Sequence, residues 1–347
     1  MLRGFVEQCY RLGMRRTLAP ILAIVAVSAV VPARAADKLT LRLSWTAYAQ
    51  HLPFYLAMEK GWFKAANLDV YIEDGNGSVT TVQLVGNGKF DLGHAALSTM
   101  AVGAAKGVHV IALSQYLQKS PLGIIYAKTL PIKSPKDFKG KTVIYTPGSF
   151  ESPFLAPFFS QNGVPPSSIN LVGVQASAKI ATYLAGKGDA FVTTVPSDMP
   201  HVEEKRPSDS LLFADYGMNL PNDGIIANTD SLKTKGAAIK RFVSVVSAAW
   251  GYILNGHLHE AAVDTIKERP NDGTTVALLE SEFNKQISFF GTQGKTTFPG
   301  LQSEEEWAKA IKIMEEAKII AAGTHPDQYF TNAYNDPAYG NSIVAVK

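Results

Sequence analysis

The sequence predicts an α/β chain made of two lobes, each built on a mostly parallel sheet, with two crossings between them. Three observations carry this. Short strands with alternating apolar residues take turns with segments of helical spacing along most of the chain, the pattern of parallel strands under covering helices. Two stretches repeat one plan: His51-Leu52-Pro53-Phe54 is matched by Glu151-Ser152-Pro153-Phe154, and Asp91 in its strand by Asp189, at offsets of 100 and 98 residues. The length, 347 residues, is enough for two domains.

The first 35 residues stand apart from this plan. Arg3, Arg11, Arg15 and Arg16 precede an apolar run from Leu18 to Val31, and Pro32-Ala33-Arg34-Ala35-Ala36 follows. A charged start, a short apolar core and an A-x-A site are the marks of a secretory signal, expected to be cut after Ala35. The run is short for a membrane anchor, which needs roughly 20 residues. Arg15-Arg16 fits a twin-arginine signal poorly. The segment holds five arginines and one glutamate, a charge of +4, so the formal +3 of the whole chain becomes −1 beyond it. The apparent basicity therefore gives no argument for nucleic-acid binding. Cys9, the single cysteine, lies in the same segment, so no disulfide or cysteine metal site is expected after cleavage. No later segment is expected to cross a bilayer.

Leu39, Leu41 and Leu43 alternate with polar residues and read as the first strand. Pro53 suits the first position of a helix, where a missing N–H costs nothing, and Gly61 suits its left-handed end. Trp45, Tyr48, Gln50 and His51 fill the loop between them. Ligands of open α/β sheets bind at such strand-to-helix loops. Leu68 to Ile72 is the next strand. The Glu73–Ser78 turn follows, with Ser78 or Thr80 expected to cap a helix whose apolar face is Val79, Val82, Leu84 and Val85. A strand through Lys89 to Ala95, a short Ala-rich helix opened by Leu97-Ser98-Thr99, and a strand from Val108 to Leu113 complete the first lobe.

Near Ser120-Pro121 the chain is expected to change lobes. Ile124–Tyr126 and Lys141–Tyr145 are strands, with a helical turn at Ser134–Phe138 between them. The loop Thr146 to Ser152 leads into the second copy of the proline-started helix. The chain returns around Ala214 to Asn228. Helices are expected at Ala237–Leu254, His259–Lys267, Val276–Phe290 and Ser303–Ala317, the last with a Ser303/Glu306 capping box. The tail from Asp327 to Lys347 gives no clear pattern and is expected to be loosely ordered. The boundaries expected are 36–118 and 219–347 for the first lobe and 119–218 for the second.

Trp45-x-x-x-x-x-His51-x-Pro53-Phe54-Tyr55-Leu56-Ala57-x-Glu59-Lys60-Gly61-Trp62-Phe63, with Asn67-Leu68-Asp69-Val70 after it, resembles the first lobe of substrate-binding proteins of bacterial ABC importers. The branch is the NMT1/THI5-like one, grouped with nitrate, sulfonate, taurine and thiamine-precursor binders. The resemblance implies a type II periplasmic binding fold, a periplasmic location, hinge closure over a small ligand, and docking on the permease subunits of an importer. It also implies that the crossings line the back of the cleft, which adds Tyr116, Gln118, Tyr216 and Asp223 to the candidates. A monomer is expected.

From the residues themselves, His51 and Glu151 precede the paired prolines on opposite lobes, where one ligand would touch both. Trp45 and Tyr48 offer flat faces for a planar ligand. Gly77 and Ser78 place N–H groups at a helix start, suited to an anion or a carbonyl. Ser98, Ser149 and Phe150 occupy similar loops, although capping alone accounts for a serine there. Thr193 ends the strand after Asp189. A carboxylate at Glu151 repels a sulfonate or nitrate and favours an amino-substituted heterocycle, such as a thiamine-pyrimidine precursor. A small oxyanion is the alternative, although no arginine lies in these loops.

Enzyme signals fail. Gly140-Lys141-Thr142 lacks the earlier glycine of a phosphate loop, where Pro135 stands. Gly75-Asn76-Gly77 is followed by Thr80 where a dinucleotide fingerprint needs glycine, and there is no G-x-S-x-G. His257 and His259 point to different helix faces. His94, His109, His201 and His325 show no ligand-like spacing. The family also includes eukaryotic pyrimidine-forming enzymes, which carry a cysteine cluster that this chain lacks. The expectation is a binding protein without cofactor or metal that makes and breaks no bond. A sensor built on the same fold is a third class.

Overall fold

The computed structural model describes residues 35–345. The expected secretory signal and Cys9 lie outside the described residues, apart from Ala35. The first unit holds β1 (Asp37–Arg42), α1 (Leu52–Glu59), α2 (Trp62–Ala65), β2 (Leu68–Glu73), α3 (Ser78–Gly86), β3 (Leu92–Ala95), α4 (Leu97–Ala105) and β4 (Val110–Gln115). The chain then enters the second sheet with β5 (Leu122–Ala127), β6 (Thr142–Tyr145), α5 (Ser152–Gln161), β7 (Asn170–Gly173), α6 (Lys179–Leu184), β8 (Ala190–Thr194), α7 (Val195–Val202) and β9 (Ser208–Leu212). It returns with β10 (Gly224–Asn228), followed by α8 (Thr229–Tyr252), α9 (Leu258–Glu268), α10 (Val276–Gln286), α11 (Glu304–Glu316) and α12 (Pro337–Val344).

The two sheets have one topology. The first runs β2-β1-β3-β10-β4 and the second β7-β6-β8-β5-β9. In each, four strands are parallel to one another and one, β10 or β5, is antiparallel to both of its neighbours. The odd strand is in both cases the first one made after a crossing. The repeat extends to side chains. Asp91 Oδ2 accepts the N–H of Thr40 on β1 at 3.1 Å, and Asp189 Oδ2 accepts that of Thr142 on β6 at 2.8 Å. Pro53 and Pro153 both stand in the first turn of the helix that follows.

Burial follows the apolar pattern. Leu39, Leu41 and Leu43 are buried, and Phe242 of α8 stacks on Phe54 and Phe63 of the first helices, with centroids at 6.3 and 5.3 Å. Helix α8 begins earlier than its apolar face requires. Asn228 Oδ1 accepts the N–H groups of Asp230 and Ser231 at 2.8 and 3.0 Å, and so caps it. The stretch Thr229–Glu268 is long and apolar enough to cross a membrane, contrary to the sequence reading, but 67% of its most apolar window is buried inside the fold. Its apolar residues are used in the core.

Two local expectations fail for physical reasons. Ser78 does not cap α3; its hydroxyl instead accepts the N–H of Ala96 at 3.0 Å, tying α3 to the start of α4. The described part of the tail, as far as Ala345, is packed on the fold. Tyr329 O accepts the N–H of Ala112 at 2.9 Å and Ala112 O accepts that of Thr331 at 3.0 Å, so the tail pairs with β4. Trp307 of α11 stacks on Tyr329 and Phe330 at 6.1 and 5.6 Å. Helix α12 then lies against α8 with Gly340 at the contact. A short polar stretch gives no periodicity, so an edge pairing of this kind leaves no signal in sequence.

A β-carbon at Gly340 would fall 2.2 Å from the Ser244 carbonyl. Gly340→Ala is therefore expected to cost about 1–3 kcal/mol, read as a lower denaturation midpoint. Gly236 within α8 meets only ordinary contacts, at 3.5 Å from Tyr334. Gly236→Ala is expected to stabilise by about 0.5–1 kcal/mol in the same titration.

Candidate functional site

The loops at the carboxyl ends of the parallel strands of both sheets enclose a cavity of about 670 Å³. One wall is Ser44–Tyr48 after β1 and Asn76–Thr80 at the start of α3. The opposite wall is Thr146–Glu151 after β6, Gln175–Ile180 around the start of α6, and Thr193–Asp198 between β8 and α7. Asn222 and Asp223 form the back, and Asp272–Thr274 with Leu278 and Glu282 of α10 close one side.

Of the candidates, the cavity gathers Trp45, Tyr48, Gly77, Ser78, Ser149, Phe150, Glu151, Thr193 and Asp223. Trp45 lines the cavity and remains 40% exposed. Tyr48 donates its hydroxyl to Gln50 Oε1 at 3.0 Å. Ser149 donates its hydroxyl to Thr146 O at 2.7 Å, which holds the loop before α5.

Five candidates lie elsewhere. His51 is fully buried behind the wall, its Nε2 3.2 Å from His94 Nδ1 and its ring against Tyr48 and Phe54. Burial, followed by the neighbouring His94, holds its pKa well below the usual histidine value, and burial alone takes His94 down to about 3. Both rings are neutral packing groups. Ser98 is buried and donates its backbone N–H to Pro221 O at 2.9 Å. Tyr116 packs on Trp250 in the core at 5.7 Å. Gln118 turns away to accept the N–H of Thr292 at 3.1 Å. Tyr216 donates its hydroxyl to Lys133 O at 2.9 Å, away from the cavity lining. The expectation that one ligand would touch both His51 and Glu151 therefore fails: the helix-starting prolines correspond, but the first side chain points into the core.

The residues missed are charged. Lys179 Nζ sits 3.4 Å from Glu151 Oε1, 3.7 Å from Asp198 Oδ2, and donates to Thr193 Oγ1 at 3.1 Å and Val192 O at 3.3 Å. Burial pulls its pKa down, but Glu151 and Asp198 more than offset this and leave it above the ordinary lysine value. Glu151, only 1% exposed, thus has a cation beside it that the sequence reading did not place there. The repeat could have found Lys179: it starts α6 as Ser78 starts α3, at nearly the same offset as the paired prolines. Glu282 Oε2 accepts the N–H of Ala49 at 2.9 Å, and Oε1 lies 3.3 Å from His201 Nε2. Burial raises the Glu282 pKa, and the hydrogen bond to Glu282 raises that of His201. Asp272 pairs with Arg269. Asp223, buried at the back, has its pKa pushed up to about 7 by desolvation, with Gln50 pulling the other way. Among the described residues no cation lies in salt-bridge reach of it, and no group of three His, Cys, Asp or Glu could hold a metal ion.

Carboxylates outnumber cations around the cavity. Such a site favours a ligand that brings hydrogen-bond donors or positive charge, and opposes an oxyanion. Removing Lys179 leaves two carboxylates without their cation. Lys179→Met is expected to destabilise by about 3–5 kcal/mol. Adding Glu151→Gln should recover part of that loss, and chemical denaturation of both variants checks it.

The chain has relatives on two sides. A 4-amino-5-hydroxymethyl-2-methylpyrimidine phosphate synthase of Candida albicans is 25% identical over 300 residues, covering 81% of this chain and 85% of the relative. The periplasmic aliphatic sulphonate-binding protein SsuA of Escherichia coli superposes with a TM-score of 0.66 at 15% identity, over 84% of this chain and 91% of that one. The periplasmic nitrate-binding protein NrtA of Synechocystis superposes with a TM-score of 0.59 at 14% identity, over 90% of each chain. The fold is that of ABC periplasmic solute-binding proteins, as the resemblance implied. The expectation that the chain is not an enzyme is overturned: curated relatives at 24–26% identity are synthases. The family model for NMT1/THI5-like proteins matches residues 48–256, and the chain belongs to that family.

Proposed function

We propose that the chain is an extracytoplasmic solute-binding protein of an ABC importer. Its cleft captures a small planar heterocycle bearing amino groups, of the thiamine-pyrimidine-precursor kind, and hands it to permease subunits. The observation that carries this is the excess of buried carboxylates around a cavity that a half-exposed tryptophan lines. The field suits a donor-rich aromatic ring and opposes a sulfonate. The fold of the importer components supports the role, and the pyrimidine in the names of the curated relatives supports the ligand class. In this reading 36–118 and 219–347 form one lobe and 119–218 the other. The chain acts as a monomer in the periplasm, and the two crossings serve as the hinge.

A second reading, a pyrimidine phosphate synthase, is favoured by the curated relatives. Both readings put an aminopyrimidine in the cleft. They separate on turnover: formation of 4-amino-5-hydroxymethyl-2-methylpyrimidine phosphate from a pyridoxal-type substrate would replace the transport reading with the synthase one.

Protein starting at Ala36 is expected to show a thermal shift with aminopyrimidines and none with alkanesulfonates or nitrate. A ligand at 100 times its Kd stabilises by about 2.7 kcal/mol. A shift with sulfonates alone would overturn the ligand class. Trp45→Ala is expected to weaken aminopyrimidine binding by about 1–1.5 kcal/mol, roughly tenfold in Kd by calorimetry, through loss of the stacking face.

A further inference from the structure

We propose that Asp223 is the group that determines specificity in the cleft: its carboxyl pairs through both oxygens with the amidine edge of an aminopyrimidine, sharing one proton with a ring nitrogen. The inference rests on the aminopyrimidine reading and adds the atom-level basis of selection.

Asp223 differs from every other acid around the cavity. Glu151 and Asp198 share Lys179, Glu282 has His201 and the Ala49 N–H, and Asp272 has Arg269. Asp223 has no cation among the described residues, though it is only 6% exposed and lines the cavity. Its place is fixed by backbone. Its carbonyl accepts the Tyr116 N–H at 3.1 Å, and its N–H donates to Asn222 Oδ1 at 2.9 Å. Gly224 follows, where a β-carbon would fall 2.0 Å from Ser114 O, so the strand cannot shift outward to accommodate a side chain there.

The side chain behind it is oriented by the first loop. Tyr48 donates to Gln50 Oε1, which leaves the Gln50 amide N–H as the group near Asp223 that favours its ionised form, against desolvation. Gln50 Nε2 is buried and makes no hydrogen bond within the protein. A buried carboxylic acid offers one donor and one acceptor side by side. An amidine edge, an amino N–H beside a ring nitrogen, offers the complement. Whether the proton sits on Asp223 or on the ring, the complex holds one, and in the second case the pair is a charge-assisted contact.

This fixes a pH dependence. With Asp223 titrating near 7, the free protein above that pH has lost the shared proton and must take it up on binding. Affinity then falls about tenfold per pH unit. Below the pH at which the ring nitrogen is itself protonated, binding must release a proton and affinity falls again. The other ionisable groups around the cavity are Tyr48, Glu151, Lys179, Asp198, His201, Asp272 and Glu282. His201 and its partner Glu282 both have raised pKa values, so this pair needs its own control.

The test is calorimetric titration of the full chain from Ala36 with 4-amino-5-hydroxymethyl-2-methylpyrimidine between pH 5 and 9, in buffers of differing ionisation enthalpy. Wild type is expected to take up close to one proton above pH 8. Asp223→Asn keeps a donor and an acceptor but cannot exchange a proton. It should bind within about tenfold of wild type at pH 6, lose the slope, and bind more tightly than wild type at pH 9. Asp223→Ala should bind at least tenfold more weakly at pH 6, and His201→Gln should retain the wild-type slope. 2-Methylpyrimidine, which lacks the amino donor, should bind at least tenfold more weakly to wild type and equally to Asp223→Ala. Binding by wild type without proton uptake overturns the inference and leaves the ligand reading intact, as does Asp223→Ala with wild-type affinity. No binding of the aminopyrimidine at any pH overturns both.

Discussion

The structure depends on one constraint: each sheet must accept an antiparallel strand in its interior directly after the chain has crossed from the other sheet. β10 lies between β3 and β4, and β5 between β8 and β9. A strand that runs against its neighbours begins where they end. Its first residues therefore lie at the carboxyl ends of the parallel strands, where ligands of open sheets bind. This puts Asn222 and Asp223, just ahead of β10, at the back of the cavity. It also places the residues just before β5 beside the end of β8, as the pairing of Leu122 with Thr194 shows. The crossings are thus part of the cleft as well as the link between its walls.

The same constraint sets the electrostatics. Loops that converge on one crevice bring side chains distant in sequence into a shared, partly dry space, where carboxylates repel and each must find a partner. The fold resolves most of this internally. Lys179 serves Glu151 and Asp198 within the second sheet's loops. Glu282 is satisfied jointly by Ala49, near β1, and His201, at the end of α7. Glu282 therefore ties α10 to loops of both sheets, and the Lys285–Glu203 pair at 2.9 Å reinforces the α10–α7 contact. What remains without a cation, among the described residues, is Asp223, just ahead of β10 at the back of the cavity.

The legible part of the sequence was the part governed by local rules. Alternation at Leu39, Leu41 and Leu43, proline at the helix starts, and the Asp91/Asp189 echo each express a backbone requirement that recurs in both sheets. The illegible part was side-chain direction. His51 and Glu151 precede equivalent prolines, yet one ring packs on His94 while the other carboxylate enters the cavity, because the space behind each loop differs. Tyr116 precedes the crossing, as expected, but packs beside Trp250, a residue 134 positions away. Glu282 and His201 come from helices whose register against the cleft follows from tertiary packing alone. Lys179 was the recoverable miss, since the repeat that paired the prolines also pairs its helix start with that of Ser78.

A binding protein and a synthase can share this cleft because most of the work is common to both. In the proposed reading each must exclude water from a planar heterocycle, orient it against Trp45, and satisfy its polar edge. A scaffold fixes these tasks without fixing the chemistry that follows. Catalysis would require in addition a group that moves a proton or electrons at a defined atom of the ligand, and pKa values displaced toward neutrality mark candidates for such groups. Asp223 meets that description whether its proton serves recognition or reaction. Glu282, also raised by burial, already engages His201 and the Ala49 N–H. The question of function therefore narrows from the whole cleft to what one buried carboxyl group does with its proton once a ring is in place.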